Sequence, residues 1–310
     1  MAVPLAILAF GLADVSHDML VTPTRAQMND LFPPDLAESR SATLAGLAKV
    51  VAILCAMLLN RTKAFLVVAA LAAVATLMQL AAKPSNREVN ISESLTDSSD
   101  ISCCSIWGLA PKLPGYWEMW SLQFAGWLSV CTWSFYFSSV WAEMQGAKPG
   151  TKDFDDAVRG ATQWLLYGSF VFMASGSILP RISGPSSVCR GEWTALYMAV
   201  LMMAVTLLLC CAPQLQALCA AWVVLAMPVA YQILANAPFA WLERQPGFKD
   251  HARGLLTGTF NASLATSQAL TALLSGPVAA HLGRLNGAMQ AAALLDALVL
   301  TAVALSRLCR

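Results

Sequence analysis

Long apolar segments are the feature that most constrains this chain. A helix that crosses the hydrocarbon core of a bilayer needs about 20 consecutive apolar residues. Such windows occur about nine times, at 1–20, 42–59, 64–82, 119–141, 158–179, 193–212, 215–241, 254–275 and 288–305. With 57% of its 310 residues hydrophobic and 12% charged, the chain is more apolar than one soluble core can hide. The sequence therefore predicts an all-α, multi-pass bundle of membrane helices with lipid as a partner.

Charge and motif content exclude several other classes. The net charge of +1 offers no electrostatic footprint for phosphates, so we expect no nucleic-acid partner. The nine cysteines include no CxxC spacing, which predicts neither a metal nor a redox centre. No HExxH, GxSxG or intramembrane GxGD signature occurs, so we expect no enzyme activity and no cofactor.

A polar segment divides the chain. Residues 83–118 are Ser-rich and acidic, which predicts a disordered linker between a partial block of three helices at 1–82 and a six-helix block at 119–310. Most Lys and Arg residues of the loops fall on the side of this linker and of the carboxyl end. The positive-inside rule makes that side cytoplasmic. The predicted location is the plasma membrane or a vacuolar or other internal membrane.

Charged residues within the first apolar segment are candidates for function. Asp14 and Asp18 follow a long uncharged run, and Arg25 lies just beyond them. At about 100° per residue the three fall within about 40° of one another on a helix. A carboxylate at that depth costs several kcal/mol unless it is paired, hydrated or protonated. Two interpretations stay open, a proton-binding group that faces water and a structural buried ion pair.

The segment 119–141 carries aromatic residues at several depths. Trp120 and Trp141 lie near its ends, where indole rings favour the membrane interface. Trp127 and Trp133 are deeper, where an indole either stacks on the apolar face of a sugar ring or packs between helices. Glu143 follows the segment, and a solvated loop acid is the alternative to a functional one.

Five motifs in sequence order resemble one family of transporters. The stretch Asp14-Val-Ser-His-Asp18, then Pro23-Thr-Arg25-Ala, then Asp30-Leu is similar to the fourth-helix motif of the sucrose transporters. These belong to the glycoside-pentoside-hexuronide:cation symporters of the major facilitator superfamily. The other four motifs resemble that family's seventh, eighth, tenth and eleventh helices: MWSLQFAGWLSV (119–130), FDDAVRGA (154–161), MPVAYQILANAPFA (227–240) and GLLTGTFNASLATSQ with SGP (254–277).

This resemblance implies a fold, a function and a set of residues. It makes the chain helices four to twelve of a twelve-helix transporter, with the first three absent, and implies symport of a sucrose-like disaccharide or glycoside with protons. Asp14 and Glu143 become the proton-coupling acids. The charge-compensating or substrate-contacting residues become Asp18, Arg25, Trp127, Arg159, Asn261 and Gln268.

One departure puts the sugar in doubt. Plant members carry two acids and an arginine at the end of the seventh helix, where this chain has Tyr136, Ser138 and Ala142. Missing helices would also remove part of the transport cavity. A truncated, non-transporting paralogue or fragment with a structural or interaction role is therefore the alternative.

Overall fold

The structure is a computed structural model that describes residues 113–183, 191–243 and 250–308, with single helical positions between 47 and 74. These residues form helices and no strand, which confirms the predicted α-helical class. Six long helices follow one another: α1 Tyr116–Met144, α2 Lys152–Ser183, α3 Glu192–Cys210, α4 Gln216–Glu243, α5 Asp250–His281 and α6 Asn286–Leu308. A short 3-10 turn, Pro213–Leu215, connects α3 to α4.

The helix ends lie where the sequence carries turn-forming residues. Gly146 and Gly150 adopt positive φ angles of 76° and 82° in the loop after α1, a conformation that other residues rarely adopt. Pro213 stands at the start of the 3-10 turn, where its missing N–H costs no hydrogen bond. Short loops of this kind connect neighbouring helices that run in opposite directions.

Contacts at the two ends of the bundle show that neighbouring helices run in opposite directions. At one end, Trp193 at the start of α3 packs edge-on against Trp241 near the end of α4, with ring centroids 5.8 Å apart. The Arg307 guanidinium, near the end of α6, lies 3.7 Å from the centre of the Trp193 ring. At the other end, the Cys211 thiol after α3 contacts the backbone carbonyl of Asn286, where α6 begins. Helices α3, α4 and α6 therefore each cross the bundle from one end to the other.

Helix α1 is the centre of the bundle, since it packs against each of the other five described helices. Gly126 allows α4 to come close, because a Cβ there would lie 2.3 Å from Cδ2 of Leu234. Gly168 does the same for α2 and α4, with a Cβ position 3.2 Å from the backbone oxygen of Val223. Glycine at both crossings is typical of membrane helices, whose association depends on close packing.

Three of the described helical segments are long and apolar enough to cross a membrane: Glu192–Cys210, Pro213–Leu242 and Asn286–Leu308. Their outer faces carry large exposed apolar side chains, among them Leu208, Leu225 and Leu298. In water such a surface would be costly, whereas in a bilayer it faces lipid. The described part of the chain is thus an α-helical protein built to be embedded in a membrane.

Candidate functional site

A cavity of about 240 Å³ lies beside α1, α2 and α4. One of the residues that line it is Ile53, which precedes the polar segment 83–118 in the sequence. The remaining lining residues come from α1, α2 and α4: Trp133, Leu165, Gly168, Ser169, Phe172, Val223, Met227, Pro228 and Tyr231. Most are apolar, and three are aromatic, so the cavity favours a solute with apolar faces and few polar contacts.

A break in the backbone hydrogen bonding of α4 borders the cavity. Pro228 lies inside this helix and has no N–H, so the carbonyl of Val224 lacks its usual helical donor. Gly168 of α2 packs directly against this turn, with a Cβ position 3.4 Å from Cγ of Pro228. A carbonyl freed in this way is a polar backbone group within a membrane helix, and such groups are tolerated where protein or a water-filled cavity surrounds them.

Trp133 supplies a hydrogen-bond donor without a partner in the described structure. Its ring lines the cavity and stacks on Phe137, with centroids 5.0 Å apart. The side chain is buried, and the indole N–H has no hydrogen-bond acceptor among the described residues. A buried donor normally has an acceptor, so a solute hydroxyl or a water molecule is the natural partner for this one.

Trp127 lies one layer behind the cavity wall. It is buried, and its ring meets Tyr231 edge-on at 5.1 Å between centroids, while Phe172 meets the same tyrosine at 5.2 Å. Below them, the buried Gln232 donates to the backbone oxygen of Phe172 at 3.1 Å and so ties α4 to α2. Of the two deep indoles singled out in the sequence, Trp133 borders the cavity and Trp127 supports it.

The two charged candidates of the second block lie at the surface of the bundle. Glu143 is exposed near the end of α1, where partial burial raises the pKa of its carboxyl above the ordinary glutamate value. Arg159 lies in the second turn of α2 and pairs with Asp156 at 3.6 Å, one helical turn away, with both side chains largely exposed. Neither residue lines the cavity.

Two polar candidates lie on α5. Asn261 and Gln268 are half-buried and seven residues apart, which places them about 10 Å apart along the helix axis and on a similar face. Neither lines the cavity next to Trp133. The first-block candidates Asp14, Asp18 and Arg25 lie outside the described residues.

Asp296 is a candidate that the sequence motifs did not select. It stands in the middle of α6 with no side-chain exposure, and one carboxyl oxygen accepts a hydrogen bond of 2.6 Å from Ser129 of α1. Between Arg284 and Arg307 it is the single charged residue of the sequence. The rule that singled out Asp14, a lone acid in an apolar membrane helix, identifies Asp296 as well.

Fold and cavity together define a class, an α-helical membrane protein with a small aromatic-lined cavity beside a helix that contains an internal proline. No family model matches the chain, and no curated protein matches it.

Proposed function

We propose that this chain is a secondary active transporter of the major facilitator type that moves a sugar together with protons by alternating access. The observation that carries the proposal is the cavity beside Pro228, which combines aromatic rings, an indole donor without an acceptor among the described residues, and a proline inside a membrane helix. The order of the motifs supports the same class, with about nine membrane helices corresponding to helices four to twelve of the family.

The aromatic rings of the cavity suit the apolar faces of a sugar ring. A pyranose has two faces of C–H groups, which pack on aromatic rings such as Trp133 and Tyr231, and a rim of hydroxyls that accept and donate hydrogen bonds. At about 240 Å³ the cavity is smaller than the roughly 300–1,000 Å³ of most ligand pockets. In the described state it therefore suits one sugar ring better than two.

The proposed proton-binding residue belongs to the first helical block, residues 1–82. Asp14 would bind a proton on the acidic side of the membrane, and Arg25 would compensate its charge after release. Differential affinity for the proton in the two access states is what allows the proton gradient to drive the solute. Glu143, near the end of α1, would act as a second acid close to the membrane surface.

Labelled-sugar uptake by reconstituted protein at two pH values tests the proposal, and the chain offers a matched pair of variants. Trp133 and Trp141 are both buried, both contact Phe137, and both have an indole N–H without an acceptor among the described residues. Only Trp133 lines the cavity. Replacement by phenylalanine keeps a ring and removes the N–H in each case.

We expect faster uptake at the lower external pH. Trp133→Phe should raise KM roughly 2- to 10-fold, the value of about one hydrogen bond, while Trp141→Phe leaves KM unchanged. Equal behaviour of the two variants would reject the cavity as the sugar site. Absence of uptake by the unmodified chain at both pH values would reject transport and favour the structural or interaction role.

A further inference from the structure

A buried carboxyl lies at mid-membrane depth on the side of α1 that packs against α6. Asp296 is 10 residues from the start of α6 and 12 from its end, or about 15 Å and 18 Å along the axis. This helix is one of the three suited to cross a membrane, and the Asp296 side chain has 0% exposure. Neither water at the membrane surface nor lipid contacts the group.

The partner of Asp296 is well defined. The Ser129 hydroxyl donates a 2.6 Å hydrogen bond to Oδ2, and 167 residues separate the two in the sequence. Near one end of the same helix pair, Ser306 donates to the carboxylate of Glu118 at 3.1 Å. The two bonds show that α1 and α6 are antiparallel neighbours, joined once near the surface and once at the centre.

No positive charge compensates Asp296 within the described part of the chain. One ion pair there is Arg159–Asp156, at the surface of α2. The arginines that flank α6 in the sequence, Arg284 and Arg307, are about 18 Å and 16 Å from Asp296 along the axis. No group of His, Cys, Asp or Glu residues that could hold a metal ion occurs among the described residues.

On the helices that pack on α6, the acids and the histidine whose side chains the structure describes are also distant from Asp296. Glu118 and Glu143 lie 11 and 14 residues from Ser129, about 16 Å and 21 Å along α1. Glu192 begins α3, and His281 ends α5. Cys131 is two residues from Ser129 and so projects from a different side of α1. Among the described residues, the field at Asp296 is therefore set by Ser129 and by apolar neighbours.

The energetics favour a neutral carboxyl at this position. An ionised carboxylate without a counter-ion costs several kcal/mol in a low-dielectric interior, far more than the roughly 1.5–3 kcal/mol that one hydrogen bond to a charged group returns. A protonated carboxyl removes that cost and keeps the bond from Ser129. The second oxygen, Oδ1, accepts no hydrogen bond from the described residues, so it is the oxygen that can carry the proton.

We propose that Asp296 is a proton-binding site, which holds a proton at neutral pH and, as a neutral carboxylic acid, fastens α6 to α1 through Ser129. The site is separate from the cavity and from the acids of the first block. It does not depend on the transport proposal, since the same burial and the same bond exist whether or not the chain moves a solute. Asp296 would act on the cavity indirectly. By holding α1 through Ser129, it would help to position Trp133, which belongs to the same helix.

Infrared spectroscopy of the purified full chain tests the proton directly, since the carbonyl stretch of a protonated carboxylic acid is resolved from amide and carboxylate bands. The spectrum at neutral pH, minus that of Asp296→Asn, should contain this band. Ser129→Ala should shift the band to higher frequency, because the carbonyl loses its donor. A difference spectrum that contains carboxylate bands instead would overturn the proposal, and an unshifted band in Ser129→Ala would overturn the fastening role.

Thermal unfolding supplies a second readout. Asp296→Asn keeps the size and neutrality of the protonated acid and should stay within about 2 °C of the unmodified chain. Asp296→Ala removes the bond and leaves a cavity, and should lower Tm by roughly 5 °C or more. If the asparagine variant loses as much as the alanine variant, the carboxyl acts as an anion and the proposal is wrong. If the alanine variant does not fold, the infrared comparison still decides.

Discussion

Gly126→Ala is expected to destabilise the protein because one methyl group has no room between α1 and α4. The added Cβ would lie 2.3 Å from Cδ2 and 3.0 Å from Cδ1 of Leu234, whereas carbon atoms in contact are about 3.5–4.0 Å apart. Leu234 would have to withdraw by more than 1 Å by this comparison. It is 0% exposed, so its movement displaces further core atoms.

The expected change in the free energy of unfolding for Gly126→Ala is the sum of two opposing effects. Overpacking of a well-packed core costs about 1–3 kcal/mol. Replacing glycine by alanine inside a helix returns about 0.5–1 kcal/mol. The net loss is therefore about 0–2.5 kcal/mol, which corresponds to a fall in Tm of up to roughly 4 °C for a chain of 310 residues. Gly258→Ala in α5 measures only the gain from replacing glycine by alanine in a helix, since no atom lies within 4 Å of its Cβ position.

Thermal unfolding in detergent, followed by circular dichroism, compares the two variants. We expect Gly126→Ala to melt below and Gly258→Ala to melt above the unmodified chain. In a Leu234→Ala background the clash is removed, so the additional Gly126→Ala change should cost nothing. Equal Tm shifts for the two glycine variants, or no rescue by Leu234→Ala, would refute the close approach of α1 and α4.

Two further predictions concern the charged residues near the ends of α1 and α2. Burial raises the folded-state pKa of Glu143 above the unfolded value, so its stabilising contribution is present below about pH 4.3 and is lost as the pH rises through the folded value. The fall in Tm between pH 4 and pH 7 should therefore be smaller in Glu143→Gln than in the unmodified chain, and an equal fall would contradict the shift. Arg159→Gln breaks an exposed pair with Asp156 that contributes about 0.5 kcal/mol or less, so Tm should move by less than about 2 °C, and a larger loss would show a contact beyond this pair.

Helix positions were predictable from the sequence, and helix lengths were less so. The apolar segment 158–179 lies inside α2, which begins at Lys152 and ends at Ser183. A window of apolar residues ends close to the nearest acidic side chains, here Asp155 and Asp156. The backbone hydrogen bonds of a helix continue through such residues, and acids in the first turn even favour its N-terminus. Hydropathy therefore locates the middle of a helix better than its ends.

The candidate site was predictable only in part. Sequence placed Trp127 and Trp133 at similar depth, but the cavity lies against Trp133, because α4 covers Trp127 with Tyr231. Which indole faces a cavity depends on a neighbour about 100 residues away, and helical periodicity carries no such information. The hydrogen bond from Ser129 to Asp296 also joins residues far apart in the sequence, so helical periodicity does not predict it. A lone acid in an apolar helix can be found from sequence, whereas its partner cannot.

Sugar accumulation by vesicles that contain this chain, driven by an inward proton gradient, tests the central claim most directly. The account predicts uptake above the equilibrium level, collapse of that uptake by a protonophore, and its loss in Asp14→Asn with sugar exchange retained, because the variant cannot release a proton. Accumulation that ignores the gradient, or that survives Asp14→Asn unchanged, would contradict proton-coupled transport.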